Sequence, residues 1–115
     1  MATTYKAVFQ EIFDGPEKFP MKDVGAYSWR TNANSEHRNG TAVDINASEN
    51  MHAEIDEDDN VTKILVGSFW KPYENDYSFT EDGDVVRAFK KHGFSWGGDA
   101  WPTSRDYMHF SYFGR

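Results

Sequence analysis

Four side chains in two short segments could do chemistry together. His37 and Asp44 lie in Ser35-Glu36-His37-Arg38-Asn39-Gly40-Thr41-Ala42-Val43-Asp44, and Asp106 and His109 lie in Asp106-Tyr107-Met108-His109-Phe110. Two imidazoles and one carboxylate make three protein ligands, the count of a catalytic zinc site that leaves a fourth position to water. The second carboxylate, Asp106, stands beside the set, where it could take a proton from that water. The chemistry implied is metal-assisted hydrolysis. The chain has no cysteine, so thiolate ligands and disulfides are both excluded.

These groups need elements to position them. Tyr5, Val8, Phe9, Ile12 and Phe13 share one helical face, with Thr4 able to cap the start and Asp14-Gly15-Pro16 the stop. Val24 to Arg30 reads as a strand. Gly40 to Asn46 reads as a second, with Ala42 and Asp44 on one face and Val43 and Ile45 on the other. Small Ala42 leaves space beside an ion. His52 to Asp56 and Thr62 to Val66 form a hairpin across Glu57-Asp58-Asp59-Asn60, and Trp70 to Asp76 a loop. Ser78 and Glu81 fit a capping box for a helix carrying Val85, Val86 and Phe89, with Lys90 and Lys91 in its last turn and Gly93 after it. Met108 to Phe113 is the final strand, in which Ser111 and Phe113 share the face of His109. Asp106 and His109, three apart, do not share a face of a regular strand, but a turn of 3-10 helix would align them. Strands and helices are segregated, so the class is α+β: a small antiparallel sheet with helices packed on it.

Composition bounds the rest. A chain of 115 residues holds one core, so residues 1–115 form one domain. Aromatic residues are 17% of the chain, which points to a core of large rings. The net charge of −7, with 19 acidic against 12 basic residues and no basic stripe, argues against a nucleic-acid partner and against adhesion to anionic membranes or walls. No apolar run approaches the roughly 18 residues of a membrane span. Met1-Ala2-Thr3-Thr4 lacks the features of a signal peptide, so any export signal is expected outside this chain. His52 and His92 read as surface or packing histidines, His92 at a helix C-terminus where a cation is favoured. Asp56-x-Asp58-x-Asn60 has the start of a calcium loop, but Val61 stands where glycine is needed and Gly67 where the bidentate acid is needed; a solvated turn is expected. The Asn-x-Ser/Thr triplets at Asn39, Asn46 and Asn60 read as chance. Trp96 to Trp101 reads as core and cleft wall, with Trp96 the ring placed to touch substrate.

The motifs Ser35-x-His37-x-x-Gly40-x-Ala42-x-Asp44 and Asp106-x-x-His109-Phe110, with the run Phe94-Ser95-Trp96-Gly97-Gly98-Asp99, are similar to those of zinc peptidases of the D-alanyl-D-alanine carboxypeptidase type. This is the VanY-like branch of the group that also holds lysostaphin-type enzymes and the Hedgehog signalling domain. The resemblance covers about residues 24 to 115. It implies a Hedgehog/DD-peptidase-like fold and a Zn²⁺ held by His37, Asp44 and His109. It implies Asp106 as general base, Arg30 as stabiliser of the tetrahedral intermediate, and Ser35 as a substrate-side group. Many relatives have Glu where this chain has Asp106, and Glu where it has Ser111; these departures bear on substrate choice more than on zinc.

The resemblance implies a single zinc peptidase catalytic domain that cuts bonds next to D-amino acids in peptidoglycan stem peptides. D-Ala-D-Ala carboxypeptidase and L-Ala-D-Glu endopeptidase action are both open. The alternative is a zinc-stabilised, non-catalytic binding module of the Hedgehog-like kind, which would require the ligands but neither Asp106 nor Arg30. The expected partner is peptidoglycan peptide and the expected state a monomer, with excision from a larger protein that carries a wall-targeting module left open. The expected location is extracellular or at the cell wall, in a bacterial enzyme or a phage lysin.

Overall fold

The computed structural model describes residues 2–25 and 41–112. Among the described residues the architecture is α+β: two helices and two small antiparallel sheets, where the sequence pattern suggests one sheet. Helix α1 spans Ala2–Asp14 and buries Val8 and Ile12, with Tyr5 and Phe9 packed beside them. It begins before Thr4, which is therefore an interior residue and not the cap. Phe13, expected on the apolar face, is exposed at the last turn, where the Lys18 ammonium lies over its ring. The helix stops at Asp14, as Asp14-Gly15-Pro16 predicts.

The first sheet has the order β1-β2-β7-β5, from Val24–Gly25, Ala42–Ile45, His109–Ser111 and Ser95–Trp96. Residues 26–30 of the expected first strand lie outside the described residues. The register pairs Asp44 with His109, Val43 with Phe110, and Ala42 with Ser111. Directly opposed residues in an antiparallel pair share a face. Ala42, Asp44, His109 and Ser111 thus form one face, and Val43, Ile45, Phe110 and Trp96 the other. The alternation expected for this strand is observed. Its apolar face meets α1 and α2 in a core of stacked and edge-on rings, with Phe89 and Phe110 4.2 Å apart between centroids.

Helix α2 spans Asp84–Lys91. Its N-cap is Gly83, so the expected capping box at Ser78 and Glu81 is not formed. Ser78 is buried, and its hydroxyl donates to the Glu49 carbonyl at 2.6 Å and accepts from the Lys71 N–H at 3.2 Å. A tertiary demand for buried hydrogen bonds has claimed the residue that the local pattern offered as a cap. Asp84 opens the helix and accepts from the Glu17 N–H at 3.0 Å, while Lys90 and Lys91 occupy the last turn. Gly93, with φ 90°, turns the chain out of the helix.

The second sheet has the order β4-β3-β6, from Val61–Trp70, Asn50–Ile55 and Ser104–Asp106. The expected hairpin is present, with longer strands. Its tip is the solvated turn predicted: one Asp56 oxygen accepts from the N–H groups of Asp58 and Asn60, each at 2.9 Å. The Asn60 N–H, above all, holds the Asp56 carboxyl below its ordinary pKa. Asn46, one of the glycosylation-type triplets, is fully buried with φ 48°. Its amide accepts from Lys22 N and Asp23 N and donates to the carbonyls of Pro20 and Tyr77, tying three loops together. Among the described residues, no helix is long and apolar enough to cross a membrane.

Candidate metal centre

The site forms where the chain passes from one sheet to the other. Asp106 ends β6 in the second sheet, and His109 begins β7 in the first. The expected 3-10 alignment is not used. Tyr107 and Met108 form a two-residue turn anchored at both ends, with Tyr107 N–H donating to Met51 O at 3.0 Å and Ile45 N–H to Met108 O at 3.0 Å. The crossing changes the direction of side-chain projection, so residues three apart point at one place without a helix.

Gly97, just past β5, joins the two strands. Its N–H donates to His109 O at 2.8 Å, and its carbonyl accepts from Asp106 N–H at 2.9 Å. A side chain there is excluded, because a Cβ would fall 2.3 Å from Asp106 O and 2.9 Å from Asp106 Cβ. The Trp101 ring lies 5.5 Å from the His109 ring, tilted by 42°.

Asp44, on β2, comes to the same point by register. His109 Nδ1 is 3.2 Å from Asp44 Oδ1 and 4.0 Å from Asp106 Oδ2. One ligand atom from each of Asp44, Asp106 and His109 lies within 4.8 Å of the other two. His109 is buried, and both carboxylates are partly so. A nitrogen and two oxygens without sulfur suit Zn²⁺. Ligand bonds of about 2.1 Å at tetrahedral angles put neighbouring donor atoms about 3.4 Å apart. The 3.2 Å between His109 Nδ1 and Asp44 Oδ1 fits that edge. The donor set therefore fits a divalent cation.

Of the residues expected at the site, Asp44, Asp106 and His109 are brought together. His37, Arg30 and Ser35 lie outside the described residues. Trp96 requires a correction as a substrate contact: it pairs with Phe110 on the opposite face from His109 and is fully buried, its indole N–H donating to Tyr107 O at 2.8 Å. It is a core residue, and Trp101 is the ring beside the imidazole. No local pattern tells the two rings apart, because the aromatic–glycine run turns sharply between them. By sequence His52 reads as a surface or packing histidine. It is the cross-strand partner of Asp106, and its Nδ1 lies 3.8 Å from Asp106 Oδ2. No spacing within the chain signals a contact made between β3 and β6. His92 caps the C-terminus of α2, as expected, with Nε2 3.6 Å from a Glu11 carboxylate oxygen.

An α+β fold that closes a nitrogen and two carboxylates around one point, at a crossing between sheets, defines a candidate hydrolytic metal centre. A family model described as D-alanyl-D-alanine carboxypeptidase matches residues 29–112, and the chain belongs to that peptidase family, of VanY-like type. The match spans the first motif, the crossing and everything between them. No curated protein and no solved structure matches the chain.

Proposed function

We propose that the chain is a zinc-dependent peptidase that hydrolyses bonds next to D-amino acids in peptidoglycan stem peptides. The observation that carries this reading is the convergence of Asp44, Asp106 and His109 in a chain of the D-alanyl-D-alanine carboxypeptidase family. Asp44 and His109, with His37, would hold the ion. Zn²⁺, when bound, supplies Lewis-acid polarisation of the scissile carbonyl and makes water a stronger acid. Asp106 is the proton carrier: its carboxylate takes the proton of the attacking water and returns it to the leaving amine. The short Asp side chain reaches the site because the β6–β7 turn delivers its backbone there, held by Gly97. The guanidinium of Arg30 would stabilise the negative oxygen that develops on the carbonyl.

The Hedgehog-like binding module requires the ligands but has no use for a carboxylate beside them. The position of Asp106 between His109 and His52 supports the enzyme. In this reading residues 1–115 act as one catalytic domain and as a monomer on wall peptides, outside the cell or at the cell wall. A phage lysin fits equally.

The test is Asp106→Asn in the zinc-loaded protein, with metal content and release of D-alanine or of stem-peptide fragments measured together. Zinc retained with turnover lowered about 10²–10⁴-fold is expected, the range for losing a general acid–base group. Loss of zinc with an intact fold would make Asp106 a ligand and overturn the assignment of roles. Absence of muropeptide hydrolysis by the zinc-loaded wild type would overturn the proposed function.

A further inference from the structure

Gly97 holds the backbone of Asp106, accepting from its N–H at 2.9 Å. A carboxylate on a fixed backbone still turns about its last bond, where the torsional wells are broad and roughly two-fold. Carrying a proton to and from one place requires one oxygen kept facing it. His52 is placed to address that oxygen.

Burial along β3 alternates, with Met51, Ala53 and Ile55 inward and His52 and Glu54 on the other face. His52 opposes Asp106 in the β3–β6 ladder, followed in regular register by Ala53 with Arg105 and Glu54 with Ser104. Directly opposed residues share a face, their Cβ atoms about 4.5–5.5 Å apart. Next to His52, the Tyr107 N–H donates to Met51 O at 3.0 Å and closes the ladder. Towards β4 the same strand is irregular, and register shifts fall on both sides of His52. Irregularities of this kind re-aim a side chain and recur beside active sites.

The imidazole so placed has its Nδ1 3.8 Å from Asp106 Oδ2, the same oxygen that lies 4.0 Å from His109 Nδ1. His52 falls outside the group of Asp44, Asp106 and His109 whose donor atoms lie within 4.8 Å of one another, so it is not placed as a further ligand of the same ion. The Asp106 side chain is 14% exposed, so protein groups more than bulk water orient its carboxylate. A closure of about 1 Å brings Nδ1 and Oδ2 into hydrogen-bond range. Catalytic hydrogen bonds that are long in a free enzyme often tighten when substrate binds.

We propose that His52 is a positioning residue: its Nδ1–H donates to Asp106 Oδ2 and fixes the rotation of the carboxylate that carries the proton. The inference rests on the peptidase reading for the role of Asp106, and it adds a residue of β3 that neither binds the ion nor touches substrate.

The test has two arms on the zinc-loaded protein. In the first, kcat, KM and zinc content are measured with a D-alanyl-D-alanine peptide for His52→Phe and His52→Gln, each alone and combined with Asp106→Asn. His52→Phe should lower kcat about 10–100-fold, the scale of one charge-assisted hydrogen bond, with KM and zinc content unchanged. His52→Gln, which keeps an N–H donor, should recover part of the loss. In the Asp106→Asn background His52→Phe should cost nothing further, because the carboxylate it orients is gone. In the second arm, the His52 ring nitrogens are followed by NMR at about pH 8, where an ordinary imidazole is neutral. The Nδ1–H tautomer should dominate in the wild type and give way to the Nε2–H form in Asp106→Ala, since the partner of one ring nitrogen sets the tautomer. A tautomer indifferent to Asp106→Ala, or a His52→Phe effect on kcat that is absent or equal in both backgrounds, overturns the positioning role and leaves the peptidase reading intact. Zinc lost from folded His52→Gln would make His52 a ligand and overturn it as well. An Asp106-dependent tautomer in a protein that cleaves no such peptide supports the His52–Asp106 bond and counts against the peptidase reading alone.

Discussion

Gly97→Ala perturbs the site without touching any reacting group. The added Cβ would lie 2.3 Å from Asp106 O, 2.9 Å from Asp106 Cβ and 3.0 Å from a Trp101 ring carbon. Ordinary contact begins near 3.4 Å, so the Asp106 backbone must retreat by about 1 Å, the scale of misplacement that costs about 10²-fold in rate. The nearest atom is backbone and cannot swing aside. The Asp106 backbone is held on one side by its N–H, which donates to the Gly97 carbonyl, and on the other by pairing with His52. The expected stability cost is that of overpacking, about 1–3 kcal/mol. The assay is hydrolysis of a D-alanyl-D-alanine peptide, with zinc content and thermal unfolding recorded on the same preparation. Zinc should be retained, because His109 is displaced less than Asp106: the new atom points at Asp106. Gly25→Ala serves as the control, since among the described residues a Cβ there meets nothing within 4 Å. A folded, zinc-loaded Gly97→Ala protein with undiminished kcat would refute the reasoning, either because Asp106 is not the proton carrier or because its placement does not depend on this glycine.

Other perturbations separate the roles. His109→Ala should abolish stoichiometric zinc uptake, read by metal analysis, and lower stability further in the presence of zinc than in its absence, because the ion links strands distant in sequence. Arg30→Ala should lower kcat about 10²-fold with zinc content unchanged, and Arg30→Lys should restore only part of it. Asn46→Ala removes four hydrogen bonds at a buried left-handed residue and should cost about 2–3 kcal/mol by chemical denaturation, with catalysis of the folded fraction unaffected.

Three members of the candidate metal centre, Asp44, Asp106 and His109, were legible in the chain itself. Strand alternation placed Asp44 and Ala42 together against Val43 and Ile45, since a two-residue period needs no tertiary information, and the β2–β7 register bears it out. Helix α1 and its stop, the polar hairpin tip and the charge distribution along α2 followed from local energetics in the same way. Tertiary structure decided what depends on contact between distant segments. Asp106 and His109 converge because the chain changes sheets between them, not because of any local helix. Ser78 was taken from the expected helix cap by a buried carbonyl of Glu49, a partner 29 residues away. His52 acquired its place beside Asp106 from the pairing of β3 with β6, and Trp96 its burial from a register that set it opposite Phe110. Local sequence specifies which face a side chain takes within its own strand; only the packing of strands against one another specifies what that face meets.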